Sequence, residues 1–289
     1  MTTTRIPSTT NLVLDEPRRR RRRPAWVVIG AIAILVLAAL MAIFGNLLAP
    51  DATRQDVLAG SLRPFSPGHV LGTDDLGRDV LEMTLAGAAS ALVGPVIVAI
   101  GSMLLGILLG SLAGYERGWI DWLVSRWTDL LLALPMLLMA IVVGGVLGAS
   151  YWVTVLLLIV LFSPSDIRII RAGVLDQSTR PYVEATKMLN LSRWRIMFRH
   201  ILPNVLPLII TNTMLNVAFA LVAFSSLSFL GVGVPPGAAG WGRQLADGRF
   251  LLFDNPATAI VPAVLIILVA VAANLVGDWL GERLERGRA

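Results

Sequence analysis

Leu130 to Ser165 reads LLLALPMLLMAIVVGGVLGASYWVTVLLLIVLFSPS and carries no formal charge. Fully helical, it would run about 54 Å at ~1.5 Å per residue, nearly twice the roughly 30 Å hydrocarbon thickness of a bilayer. Gly144, Gly145, Gly148 and Ser150 lie near its middle, where a tight turn forms most readily. The tract reads as two membrane spans joined by that turn. Counting it as two sets the parity of the chain, and with it the side on which each loop lies.

Upstream, Met83 to Tyr115 is also uncharged. It would cover about 50 Å as a helix, so it crosses once and projects beyond the lipid. Before it, Asp51 to Glu82 holds six acids and three arginines with scattered prolines and glycines, the composition of an extracytoplasmic excursion. Six arginines, Arg18 to Arg23, then Pro24, precede an uncharged stretch from Ala25 to Pro50. A secretory signal has an apolar core of about 7–15 residues. This stretch is longer, so it reads as an uncleaved first span. Downstream come a polar, basic segment, a fifth span near Val205 to Phe229, a Gly- and Pro-rich outer loop to Pro256, and a sixth span ending near Asp278. The expected organisation is a cytoplasmic basic leader at 1–24, a first span at 25–48, an extracytoplasmic loop at 49–82, a five-helix core at 83–280 and a cytoplasmic tail at 281–289. Within the core, 173–204 is a cytoplasmic loop and 230–256 an extracytoplasmic one.

The 289 residues are 56% hydrophobic and 15% charged, more apolar surface than one soluble core hides. The net charge of +5 comes from 23 arginines and one lysine gathered at the ends of apolar tracts. That is an orientation signal, not the basic stripe of a nucleic-acid binder. Nineteen of these 24 residues fall on the pieces assigned to the cytoplasm; Arg54, Arg63, Arg78, Arg243 and Arg249 fall on the outer loops. Both termini are therefore expected in the cytoplasm of a multi-pass cell-membrane protein.

Several chemistries lack their residues. The only lysine, Lys187, lies between Thr186 and Met188, so no phosphate-cradling Walker A loop exists, and no H-E-x-x-H or G-x-S-x-G occurs. There is no cysteine, and the two histidines, His69 and His200, are far apart in sequence, so no metal site, cofactor or catalytic residue is expected. Proton- and ion-driven carriers keep ionisable residues inside their spans. Here only Asp129 and Asp166 come near one; Asp166 reads as an interfacial residue beside Arg168 and Arg171, with a gating role as the alternative. Gly106, Gly110 and Gly114 leave one face of the second span almost bare backbone, which favours close helix packing over a ligand role.

Arg180 to Pro203 reads as two short helices joined at an elbow. Pro181 suits a first helical turn. Tyr182, Ala185, Thr186 and Leu189 share a narrow, partly apolar face, Asn190 stands where a left-handed residue would stop the helix, and Ser192 is placed to cap the next. Periodicity alone leaves two readings open: a small docking helix, or an amphipathic helix lying on the lipid with Arg193, Arg195 and Arg199 at the headgroups.

Glu184-Ala185-Thr186, the turn-forming residue six after the glutamate, and Ile201-Leu202-Pro203 resemble the EAA loop of ABC importer permeases. Leu71-Gly72-Thr73-Asp74-Asp75-Leu76-Gly77-Arg78-Asp79, Leu227 to Gly233 with Pro235, Pro236 and Trp241-Gly242, and Asn274-Leu275-Val276-Gly277-Asp278 resemble the second, C-type permease of the dipeptide and oligopeptide branch. The resemblance covers roughly Ala25 to Leu284. Two departures stand out: the family usually has Ala at the place of Thr186 and Gly at that of Asn190.

The resemblance implies an all-α, six-span membrane protein with the type I ABC importer transmembrane fold, forming half of a pathway for di- or oligopeptides. It implies as partners a homologous second permease, two ABC ATPase domains, an extracytoplasmic peptide-binding protein and membrane lipid. Glu184, Ala185, Thr186, Met188, Leu189, Asn190 and Leu191 would form the element that docks on the ATPase. Gly72, Asp74, Asp75, Gly77, Arg78 and Asp79 would shape the outer mouth or a binding-protein dock, unless they form a structural turn held by local Asp and Arg pairs. Asn212, Asn216, Ser225 and Ser226 would line the path, unless they serve as interhelical hydrogen bonds. The competing readings are a permease for another solute such as a metal chelate, a nucleotide-independent carrier, and a scaffold recruiting partners through its arginines.

Overall fold

The computed structural model describes residues 24–58 and 60–286. The arginine run of the leader and the end of the tail lie outside the described residues. Eleven α-helices and no strands occur among the described residues.

Helix α1 (Ala25–Leu48) buries Val28, Ala31, Ala38 and Gly45 and leaves Leu37, Ile43 and Leu47 exposed. The last three buried positions recur every seventh residue, so a single stripe faces the bundle while the rest is suited to lipid. Gly45 lets α1 touch its neighbour backbone to backbone: a Cβ there would fall 2.1 Å from the Leu85 carbonyl oxygen. Helix α2 (Val80–Leu105) is started by Asp79, whose carboxylate accepts from the amides of Leu81 at 2.8 Å and Glu82 at 3.0 Å. It continues through a π-helical turn at Gly106–Gly110 into α3 (Ser111–Glu116), one apolar run of 37 residues. The glycine face packs directly on α6 (Tyr151–Ser178): a Cβ on Gly110 would lie 2.7 Å from the Ile167 carbonyl oxygen, and one on Gly114 2.8 Å from that of Arg171.

The tract from Leu130 to Ser165 differs from the expectation in one respect. The turn falls where the glycines place it, with Gly148 at φ +87° and Ser150 ahead of α6. The helix before it is broken: α4 (Gly118–Leu132) and α5 (Met136–Leu147) meet at 87°. Pro135 lacks the N–H that would continue the ladder, and its ring keeps the preceding residue out of the α region. At about 18 Å, α5 is too short to cross alone. Among the described residues five helices are long and apolar enough to span a membrane, and six spans result when the bent pair counts as one.

After α6 come α7 (Pro181–Met188), α8 (Arg193–Ile196), a π turn at Met197–Ile201 and α9 (Leu202–Phe229). The loop expected at 230–256 contains a helix, α10 (Trp241–Gly248), ahead of the final α11 (Ala257–Arg286). Helix α10 is wedged into the bundle. Trp241 is fully buried and its indole N–H donates to the Thr84 carbonyl at 2.9 Å, while Gly242 presses on the α9 backbone at Ser225. One core cluster joins α1, α2, α9, α10 and α11 around Trp241; another joins α2, α5, α6 and α9 around Phe224; a third sits at the end that carries α7.

Candidate functional site

Helix α7 is anchored by two side chains, Val183 and Tyr182. Val183 is fully buried in a cluster with Met103, Ile170, Val174, Ile196, Ile201 and Val205. Tyr182 links the helices on either side of the loop: its hydroxyl donates to Gln177 Oε1 at 2.8 Å and accepts from Asn204 Nδ2 at 3.1 Å. Thr186 turns its hydroxyl onto the Val183 carbonyl at 2.7 Å, so the residue found where the family usually has Ala spends its polar group within the helix. Glu184 occupies the first turn, where a negative charge suits the helix dipole.

The opposite face of α7 is free. Glu184 and Ala185 are exposed, and Met188 and Leu189 are 85% and 73% exposed at the tip. Asn190 follows at φ +54°, the left-handed conformation expected of it, its amide donating to the Lys187 carbonyl at 3.0 Å. Leu191 returns to the cluster, and Ser192 Oγ accepts from the Arg195 amide at 3.4 Å to begin α8. The loop therefore presents two large apolar side chains outward from a rigid base. Arg193 is held by Glu116 at 2.8 Å, and Trp194 stacks on Phe198 at 5.8 Å. Periodicity singled out the outward face of α7 and missed Val183, whose role becomes visible only once α6 and α9 are packed behind it.

The motif from Gly72 to Asp79 forms a knot at the start of α2. Asp74 Oδ1 accepts from the amides of Leu76 at 3.0 Å and Arg78 at 2.9 Å, and its Oδ2 accepts from Arg78 Nε at 2.6 Å. The buried guanidinium of Arg78 also donates to the Gly237 carbonyl at 3.4 Å and lies 3.9 Å from Asp247 on α10. Asp79, besides capping α2, meets His69 Nδ1 at 2.7 Å. Gly72 and Gly77 have φ of +73° and +71°, and a Cβ on either would strike backbone of the same loop. Asn255 Nδ2 closes the knot on the carbonyls of Leu71 at 2.9 Å and Thr73 at 3.0 Å. Of the six residues singled out, only Asp75 is exposed.

Within the bundle, Asn212 and Asn216 stand one turn apart on α9 and both donate to Asp166 Oδ1 on α6, at 2.6 and 2.7 Å. Their amides are spent on an interhelical contact. Ser225 is buried without a hydrogen-bond partner for its hydroxyl, and Ser226 folds its hydroxyl onto the Val222 carbonyl at 2.8 Å. Asp166 itself departs from the interfacial reading. It is fully buried and has no arginine partner: Arg168 pairs with Asp129, and Arg171 holds Asp121 with Nη2 at 2.7 Å from Oδ2. Both arginines bind α4, which takes them away from Asp166. The sequence signal was present in the polar i, i+4 pair on α9, but not its partner.

Residues 106–289 match the family described as the binding-protein-dependent transport system inner membrane component. The chain is 32% identical over 270 residues to the dipeptide transport system permease protein DppC of Alkalihalophilus pseudofirmus, covering 93% of this chain and 88% of the relative. It is 35% identical over 253 residues to the probable D,D-dipeptide transport system permease protein DdpC of Escherichia coli, covering 87% and 85%. To the glutathione transport system permease protein GsiD of Pectobacterium atrosepticum it is 34% identical over 220 residues, covering 76% and 73%. An inward-facing structure of the MetNI methionine ABC transporter shares the fold, with a TM-score of 0.59 at 15% identity over 70% of this chain and 95% of that one. The fold is that of a type I ABC importer membrane subunit. A bundle of five or six apolar helices with a rigid, outward-facing loop between α6 and α9 is thus a multi-pass transport permease, and the chain belongs to the family of binding-protein-dependent transport system inner membrane components.

Proposed function

We propose that the chain forms half of the translocation pathway of an ATP-driven importer for di- or oligopeptides, and that α7 is the handle gripped by a separate ATPase subunit. The observation that carries the reading is the loop's two-sidedness, with Val183 sunk in the bundle and Met188 and Leu189 bare at the tip. Exposed apolar side chains beside a helix terminus suit a protein groove that covers them on assembly. The dipeptide systems named among the relatives support the substrate class. The partners are a homologous second permease, two ABC ATPase domains and an extracytoplasmic peptide-binding protein. Both termini and α7 face the cytoplasm in this reading, which the arginine distribution supports.

ATP-driven closure of the ATPase pair displaces α7, and the helices it is anchored to carry that displacement towards the outer side as a rigid-body switch. Residues 72–79 hold the outer loop on α2 and α10, so that Asp75 is the one member of the motif presented to a docking protein. Replacing Glu184 by Arg reverses the charge at the first turn of α7 without touching the buried face. In the assembled importer, Glu184→Arg is expected to lower dipeptide uptake about tenfold or more while membrane insertion is retained. Unchanged uptake by that variant contradicts the assignment. Growth on defined dipeptides as sole nitrogen source, with and without the chain, tests the substrate class separately.

A further inference from the structure

Asp166 is a carboxyl buried completely inside a membrane bundle, with two side-chain amides aimed at one of its oxygens and no cation beside it. Its other oxygen is buried and has no partner. Such a group is costly where water cannot replace lost partners, so an arrangement of this kind persists for a use. Its place in the fold indicates the use. Asp166 lies on α6, which leads into the cytoplasmic loop, and Asn212 and Asn216 lie on α9, which leads out of it. Tyr182 joins the same two helices nearer the loop through Gln177 and Asn204. The two ties are rungs separated by about 12 Å along α9, with the Val183 cluster between and around them. Beneath Asp166 the second span comes as close as backbone allows: a Cβ on Gly106, the first residue of the π turn, would lie 2.7 Å from Asp166 Cβ.

We propose that Asp166, Asn212 and Asn216 form a positioning clamp that makes α6 and α9 move as one lever, so that displacement of the cytoplasmic loop reaches the pathway instead of being lost as sliding between the two helices. The inference rests on the reading of α7 as the ATPase handle. Sliding of α9 by one turn would carry one asparagine into the other's place and part the second amide from the carboxyl, which would find no water in exchange. The clamp works through the acceptor oxygen, not through charge: Arg168 and Arg171 on α6 are turned to α4, and the side chains that act on Asp166 are Ser102 of α2 and the two asparagines of α9, with Gly106 of the π turn against its Cβ.

The test uses the complete importer in proteoliposomes, with dipeptide moved per ATP hydrolysed as the readout. Asp166→Leu removes the acceptor while keeping the branch at Cγ and is expected to lower that ratio about tenfold or more, with ATP hydrolysis itself changed by less than about threefold. Asp166→Asn keeps an acceptor oxygen and is expected to restore most of the ratio. The paired Asn212→Ala, Asn216→Ala variant, which leaves Asp166 in place, is expected to behave as Asp166→Leu does. A proportional fall of hydrolysis and uptake in these variants, or loss of the assembled complex in all of them, means an architectural role only and overturns the proposal. Failure of Asp166→Asn to restore coupling overturns it in favour of a charged role. Glu184→Arg in parallel separates the two readings: loss of uptake in that variant alone rejects the clamp and keeps the handle, whereas unaltered uptake there rejects the handle itself.

Discussion

Asn190 is the residue on which the shape of the docking loop turns. At φ +54° it holds a conformation that costs most L-residues about 1–2 kcal/mol and that Asn tolerates better than the rest. Gly at this position, usual in the family the loop resembles, would adopt it without strain. Asn190→Gly is therefore expected to leave uptake unchanged, whereas Asn190→Val, β-branched and forced to the same φ, is expected to cost about 2 kcal/mol locally and to reduce uptake at constant expression. Equal uptake by the two variants would show that the elbow does not need a left-handed residue. Asp166 was hard to read from the sequence for the opposite reason. Its neighbours Arg168 and Arg171 suggested local ion pairs, but both are claimed by Asp121 and Asp129 from α4, and the true partners lie more than forty positions away.

Among the elements, α1 gives the cleanest contrast. Gly30 has nothing within 4 Å of a Cβ position, and Gly45 has the Leu85 carbonyl oxygen at 2.1 Å. Gly30→Ala is expected to leave the stability of the detergent-purified protein, read from its thermal midpoint, within about 0.5 kcal/mol of wild type, or to raise it through helix propensity. Gly45→Ala is expected to cost about 1–3 kcal/mol by driving α1 off α2. A Gly45→Ala midpoint equal to that of wild type would mean that α1 packs elsewhere. The long uncharged tracts and the glycine turn at Gly148 were legible because burial in lipid leaves a strong compositional mark. The break at Pro135 was written in the sequence as well, yet a proline inside an apolar tract is also tolerated in membrane helices, and what fixes the bend is the pairing of Asp121 and Asp129 on α4 with Arg171 and Arg168 on α6. Helix α10 was invisible for a different reason: eight residues of mixed polarity look like loop until Trp241 is found buried against α2.

At the scale of the whole molecule, the two ends of the bundle are built differently. The end bearing residues 72–79 is knotted on itself and to the segments leading into α10 and α11, through Gly237 and Asn255, by hydrogen bonds, which suits a surface that is held still. The end bearing α7 is tied by Val183 and Tyr182 on one side and is bare on the other, which suits a surface that is pulled. The central claim is that a separate ATPase grips that bare tip from the cytoplasm. The chain contains no cysteine, so Met188→Cys introduces a unique thiol at an 85% exposed position of the docking helix. In intact cells that thiol is expected to resist a membrane-impermeant reagent, and in the purified importer a short bifunctional reagent is expected to join it to the ATPase subunit. Modification from outside the cell, or a fully assembled complex in which the thiol reaches no ATPase, would contradict the account.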